Sequence, residues 1–265
     1  MPTRLIPSAQ VDHFVHDHLP PPEQWPELRF DRPELQLPAQ VNAVQALFER
    51  AAAAGHADRP LFRSDERTLS YAQAQVEVNR IANALTVELG LVPGNRVLLR
   101  GGNSVAMALA WLATVQAGLI AVATMPLLRA RELGAILTKA QPVLALCDVK
   151  LQDDLKTALS ADPATAGVAM LVFNTGGAEL PHSLEAMAKR QCEHSTPCPT
   201  AATDIALLAF TSGTTGTPKA AVHTHRDVLA ACETWPRHVL RATPDDIVMG
   251  SPPLAFTFGL GGLLV

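Results

Sequence analysis

The sequence predicts an α/β fold with mainly parallel sheets flanked by helices, and three observations carry that prediction. Apolar runs of strand length alternate with longer stretches whose apolar residues recur at helical spacing. Glycine and proline punctuate the alternation where a helix would stop or a turn would form. A hydrophobic share of 48% against 17% charged, over 265 residues, supplies at least one large core.

The first forty residues carry Pro20, Pro21, Pro22, Pro26, Pro33 and Pro38, which rules out regular helix or central strand and predicts an extended arm over 1–40. From Val41 the pattern turns helical. Val44, Leu47, Phe48 and Ala51 share a face, with Gly55 as the stop. A short strand near Leu61 to Arg63 and a turn at Asp65-Glu66 lead to Ser70-Tyr71-Ala72-Gln73, which has the form of a capping box. The helix that follows has the stripe Ala74, Val78, Ile81, Leu85 and Leu89, and Gly90 ends it.

Arg96 to Arg100 reads as a strand, Asn103 or Ser104 as the cap of a helix carrying Trp111, and Leu119 to Ala123 as a second strand. Val105 to Met125 has no charged residue and is long enough for a membrane span. Its alanine content, Thr114, Gln116 and a helix stop at Gly118 favour a buried helix followed by a buried strand. The alternation continues with a helix near Arg131 to Ala140, a strand at Val143 to Cys147, a helix near Gln152 to Leu159 and a strand at Val168 to Phe173. Gln191 to Ala202, polar with Pro197 and Pro199, reads as a connector, so a first α/β subdomain is expected over 41–200 and the start of a second over 201–265.

Charge and cysteine content bound the function. A formal net charge of -4 without a long basic run gives nucleic acid no purchase. Cys147, Cys192, Cys198 and Cys232 are scattered and no apolar leader precedes them, so reduced thiols in a cytoplasmic protein are expected. Cys192, His194 and Cys198 are too loosely spaced for a zinc site, and His13, His16 and His18 read as solvated, so no metal site is expected.

The chemistry concentrates after the apolar strand Ile205 to Phe210, in Thr211-Ser212-Gly213-Thr214-Thr215-Gly216-Thr217-Pro218-Lys219. Small residues let the backbone curl until its N–H groups converge on phosphate oxygens, and the hydroxyls add donors. Lys219 brings a positive charge suited to a phosphate that must leave. A flexible Gly/Thr linker would need neither that lysine nor the preceding strand. A Walker loop is disfavoured because Ala220 stands where the magnesium-binding hydroxyl belongs. Gly259, Gly261 and Gly262 lack the dinucleotide spacing.

TSGTTGTPK followed by THRD resembles the phosphate-loop signature of the acyl-CoA synthetase, adenylation-domain and luciferase superfamily. That resemblance implies the N-terminal portion of the family's large domain, activation of a carboxylic acid by ATP to an acyl-adenylate, and transfer to CoA. It also implies that Thr211, Ser212, Gly213, Thr214, Thr215, Gly216 and Lys219 bind ATP, with Lys219 in the catalytic role of serving the departing pyrophosphate. The segment Pro253 to Gly259 is similar to the family's acyl-pocket segment, with Phe256 at the aromatic position. His225, at the start of the next helix, is open to structural capping or to ligand contact. The arm, in DHFVHDHLPPPEQWPEL, and ATMPLLRARELG are similar to benzoate and 2-aminobenzoate CoA ligases, which implies an aromatic acid.

ATP, CoA and Mg2+ are the implied co-reactants, with most magnesium ligands, the ribose-gripping aspartate and the adenylation lysine expected outside these residues. The chain is therefore expected to be an N-terminal fragment with little activity alone. Expected partners are the acid, ATP and CoA, with a homodimer among the assemblies allowed and neither nucleic acid nor membrane span involved. The competing classes are a non-catalytic binding module and an adenylation domain that loads a carrier protein.

Overall fold

The computed structural model describes residues 7–178, 180–211 and 218–264. The short helix α1 (Phe14–Asp17) precedes α2 (Ala43–Ala53), the hairpin β1 (Pro60–Arg63) and β2 (Thr68–Ser70), and α3 (Tyr71–Asn83). Then come β3 (Arg96–Arg100), α4 (Val105–Gln116), β4 (Ile120–Thr124), α5 (Ala130–Ala140), β5 (Leu144–Asp148), α6 (Gln152–Ala161), β6 (Ala169–Phe173) and α7 (Leu184–Lys189). The chain closes with β7 (Ile205–Thr211), β8 (Lys219–Thr224), α8 (His225–Trp235) and α9 (Thr257–Leu263).

Six strands form one sheet in the order β6-β5-β3-β4-β7-β8, parallel except for the β7/β8 hairpin. Alternation along the strands separates two cores. Val97 and Leu99 of β3, Leu144 and Leu146 of β5 and Ala206 and Leu207 of β7 face α2, α3, α4, α7 and α8. Leu98, Ala145, Cys147, Ile205 and Leu208 face α5 and α6. The steps from β3 to β4 and from β6 to β7 run one way across the sheet with their helices on the first face. Those from β4 to β5 and from β5 to β6 run the other way with theirs on the second, as right-handed crossovers require. The loops leaving β3 and β4 therefore part to opposite faces, at the kind of divide where α/β sheets take ligands.

Local chemistry explains the boundaries. Ser70 and Gln73 close the expected capping box. The last turn after Asn83 widens, with the Leu89 N–H bonding the Ala84 carbonyl five residues back, before Gly90 turns away at a φ of 68°. Ser104 rather than Asn103 caps α4, its Oγ accepting the Met107 N–H at 3.1 Å. The uncharged stretch from Val105 is a buried helix and a buried strand parted by Gly118 at a φ of 74°. Among the described residues, no helix is long and apolar enough to cross a membrane.

The arm departs from its proline-based expectation in one place, because α1 forms in the proline-free stretch between Pro7 and Pro20. It is otherwise a strap over the amino ends of the strands. The Ala9 N–H bonds Asp204, Gln10 bonds the Ile205 carbonyl at 2.7 Å, and Asp12 pairs with Arg96 and Asn95. Further along the arm, Phe30 lies under Arg226 and Glu34 bonds His238, so it also crosses α8.

Candidate functional site

Thr211 ends β7 and Lys219 begins β8, and the two are ladder partners. The chain between them therefore leaves and returns across a gap of about 5 Å. Ser212, Gly213, Thr214, Thr215 and Gly216 lie outside the described residues. Both flanking residues are exposed. Just before Lys219, the Pro218 carbonyl accepts a bond from Lys139 Nζ at 2.9 Å, which ties the return limb to α5.

Arg100 occupies the divide at the carboxyl end of β3. It is 1% exposed, and its guanidinium donates to the carbonyls of Leu151, Met125, Pro126 and Leu128 at 2.8 to 3.2 Å. One side chain thereby fixes the loops that leave β4 and β5. Desolvation pulls its pKa below the ordinary value, and burial pushes the neighbouring Cys147 thiol up to about 12, so that sulfur is a neutral packing group.

Phe256 stands at the N-cap of α9, 41% exposed, its N–H bonding the Pro253 carbonyl at 2.9 Å and its own carbonyl accepting the Leu260 N–H at 2.8 Å. The preceding residues are held from the β3–α4 loop: Asn103 Nδ2 donates to the Pro252 carbonyl at 2.9 Å, and Asn103 Oδ1 accepts the Leu254 N–H at 2.8 Å. Thus the structure joins Thr211 to Lys219 and Phe256 to the divide. Among the described residues no hydrogen bond or ion pair links the two groups.

A cavity of about 830 Å³ lies elsewhere, between α3, the start of α4 and α7, lined by Arg67, Arg80, Val105, Leu109, Phe173 and Glu185 among others. Thr211, Lys219 and Phe256 do not line it. His225 is fully buried, and its Nδ1 accepts the Ala43 N–H at 3.0 Å, which makes it a cap for α2. Thr224 and Asp227 cap its own helix. Among the described residues, no group of three His, Cys, Asp or Glu side chains is placed to hold a metal.

The missed residues, Arg100 and Asn103, carried partial signals. Arg100 ends an otherwise apolar strand, and Asn103 follows two glycines beside a serine that does the capping.

The chain belongs to the AMP-binding enzyme family, which it matches over residues 48–265. It is similar to the benzoate–CoA ligase of Thauera aromatica, 28% identical over 233 residues that cover 88% of this chain and 43% of that protein. It is also similar to the p-hydroxybenzoic acid–AMP ligase of Mycobacterium marinum, 30% identical over 220 residues that cover 83% of this chain and 28% of that one. Among solved structures, the anthranilate CoA ligase AuaEII in complex with anthranoyl-AMP aligns with a TM-score of 0.79 at 26% identity, covering 87% of this chain and 44% of that one. The chain spans less than half the length of these relatives.

Proposed function

We propose that this chain supplies the ATP-phosphate grip and part of the acid site of an AMP-forming ligase that activates an aromatic carboxylic acid, benzoate or 2-aminobenzoate, and passes it to CoA. The observation that carries this is the ladder pair of Thr211 and Lys219, which closes a Gly/Thr loop at the end of a parallel strand. Relatives whose names give benzoate, p-hydroxybenzoic acid and anthranilate as their acids support the aromatic class.

The chemistry needs help because a carboxylate and a triphosphate repel each other. A carboxylate oxygen bonds to the α-phosphorus while the bond to the bridging oxygen breaks, and pyrophosphate leaves with the electron pair. Ser212, Gly213, Thr214, Thr215 and Gly216 offer backbone N–H groups and hydroxyls to the β- and γ-phosphates. Lys219 offsets the charge that grows on the leaving group, and Mg2+ accompanies the triphosphate. The CoA thiol then displaces AMP from the acyl carbon, releasing its proton. Phe256 lines the pocket for the aromatic ring, where ring-on-ring contact favours flat acids. The same proposal takes 1–40 as an arm, 41–200 as one α/β unit and 201–265 as the opening of a second. It sets the reaction in the cytoplasm, where ATP and reduced CoA are available.

The test is binding of a non-hydrolysable ATP analogue to this chain by calorimetry, followed by acid-dependent pyrophosphate exchange on this chain and on one extended to the length of its relatives. Lys219→Ala should weaken analogue binding by about 10- to 100-fold, the cost of losing a charge-assisted hydrogen bond. Equal affinity in the variant would remove Lys219 from the phosphate site. An exchange rate as high with long fatty acids as with benzoate would remove the aromatic assignment.

A further inference from the structure

The turn from β3 into α4 runs through Gly101, Gly102, Asn103 and Ser104. Gly101 is packed tightly enough that a Cβ would lie 2.8 Å from the Phe173 ring, so the loop has little freedom. Ser104 does the helix capping, which leaves the Asn103 carboxamide for other work. Its donor end and its acceptor end both engage one distant stretch, the Pro252 carbonyl at 2.9 Å and the Leu254 N–H at 2.8 Å. A planar amide that bonds the backbone on either side of Pro253 holds that stretch as a neighbouring strand would.

The hold continues toward Phe256. Leu254 is buried, and the Phe256 N–H returns to the Pro253 carbonyl at 2.9 Å. In α9, a Cβ on Gly259 would lie 2.1 Å from the Pro253 oxygen, so the helix rests directly on the clamped backbone. Phe256 thus sits two residues beyond the clamp, between fixed supports on either side.

We propose that Asn103 is a positioning residue of the acid site: by clamping residues 252–254 it sets where Phe256 stands, and so the fit of the aromatic acid. This rests on the assignment of Phe256 to the acid pocket made above. Both side-chain hydrogen bonds of Asn103 go to the backbone of 252–254, so its expected effect falls on the acid and not on the phosphate grip. Its two bonds are neutral and partly exposed, so their loss shifts the segment without unfolding the chain.

The experiment compares Asn103→Ala, Asn103→Asp and the unchanged chain by amide hydrogen exchange, benzoate titration and ATP-analogue titration. The alanine variant should speed exchange of the Leu254 amide by about tenfold and weaken benzoate by a similar factor, with analogue affinity and Met107 amide exchange unchanged. The aspartate variant keeps the acceptor for Leu254 and should retain that amide's protection while losing the Pro252 bond. Unchanged Leu254 exchange in the alanine variant overturns the clamp. Faster exchange with unchanged benzoate affinity overturns the positioning role. If the unchanged chain binds the analogue but no aromatic acid, the pocket assignment of Phe256 fails and the positioning role falls with it, while the Leu254 amide reports the clamp independently.

Discussion

His225 shows how far a residue's role can depend on partners distant in sequence. Burial drives its pKa down to about 4, with Asp204 opposing the shift, so the ring is neutral when folded. An ordinary histidine in the unfolded chain titrates near 6.5. Between those values the unfolded state binds the extra proton, so stability is complete above pH 6.5 and is lost as pH falls toward 4, by at most about 3 kcal/mol. Urea midpoints measured from pH 7 to pH 4 should therefore decline, and His225→Asn, which keeps an acceptor for Ala43, should flatten part of that slope. An identical slope in the variant would assign the acid sensitivity to other groups. The neighbouring residues gave two options for this side chain, capping or ligand contact, and could not decide between them because the helix it caps lies 182 residues away. Asn103 was obscured for the same reason, with both of its partners about 150 residues downstream.

At the scale of elements, turn chemistry made most boundaries readable. Gly118 is the clearest case, since it splits an uncharged stretch into α4 and β4 at a positive φ. A Cβ there would lie 2.5 Å from Cys198 Sγ. Gly118→Ala combines backbone strain with overpacking and should destabilise the fold by about 2 kcal/mol or more, lowering the melting temperature by roughly 4–8 °C. A melting temperature within a degree of the parent would mean that the connector carrying Cys198 moves aside freely. The elements that escaped the sequence are those with weak local signals. The helix α9 contains Gly259, Gly261 and Gly262, which lower helix propensity, and α7 spans only six residues. The strand β2 is three residues long and gains its identity only from pairing with β1.

For the whole molecule, the alternation of strands and helices announced a parallel sheet, but strand order was not legible. β7 takes its place beside β4, more than eighty residues earlier, and only the assembled sheet creates the divide that Arg100 fills. The motif that carries the family resemblance could be read directly because its spacing is local, whereas the supports around Phe256 come from a different part of the chain. The arm is a second global feature. Asp12→Ala removes the carboxylate from Arg96, whose side chain is 5% exposed but keeps carbonyl partners at Ala140 and Gln141. The loss should be about 2 kcal/mol, read as a lower urea midpoint, and an unchanged midpoint would make the strap ornamental. The strap's partners also set a timetable for biogenesis. Ala9 and Gln10 emerge from the ribosome early, yet Asp204 and Ile205, which they must meet, are translated 195 residues later. At about 5–20 residues per second, that interval is roughly 10–40 s. For that long, the nascent amino terminus can reach Asn95 and Arg96 but must wait, half-fastened, for the strand that completes its seat.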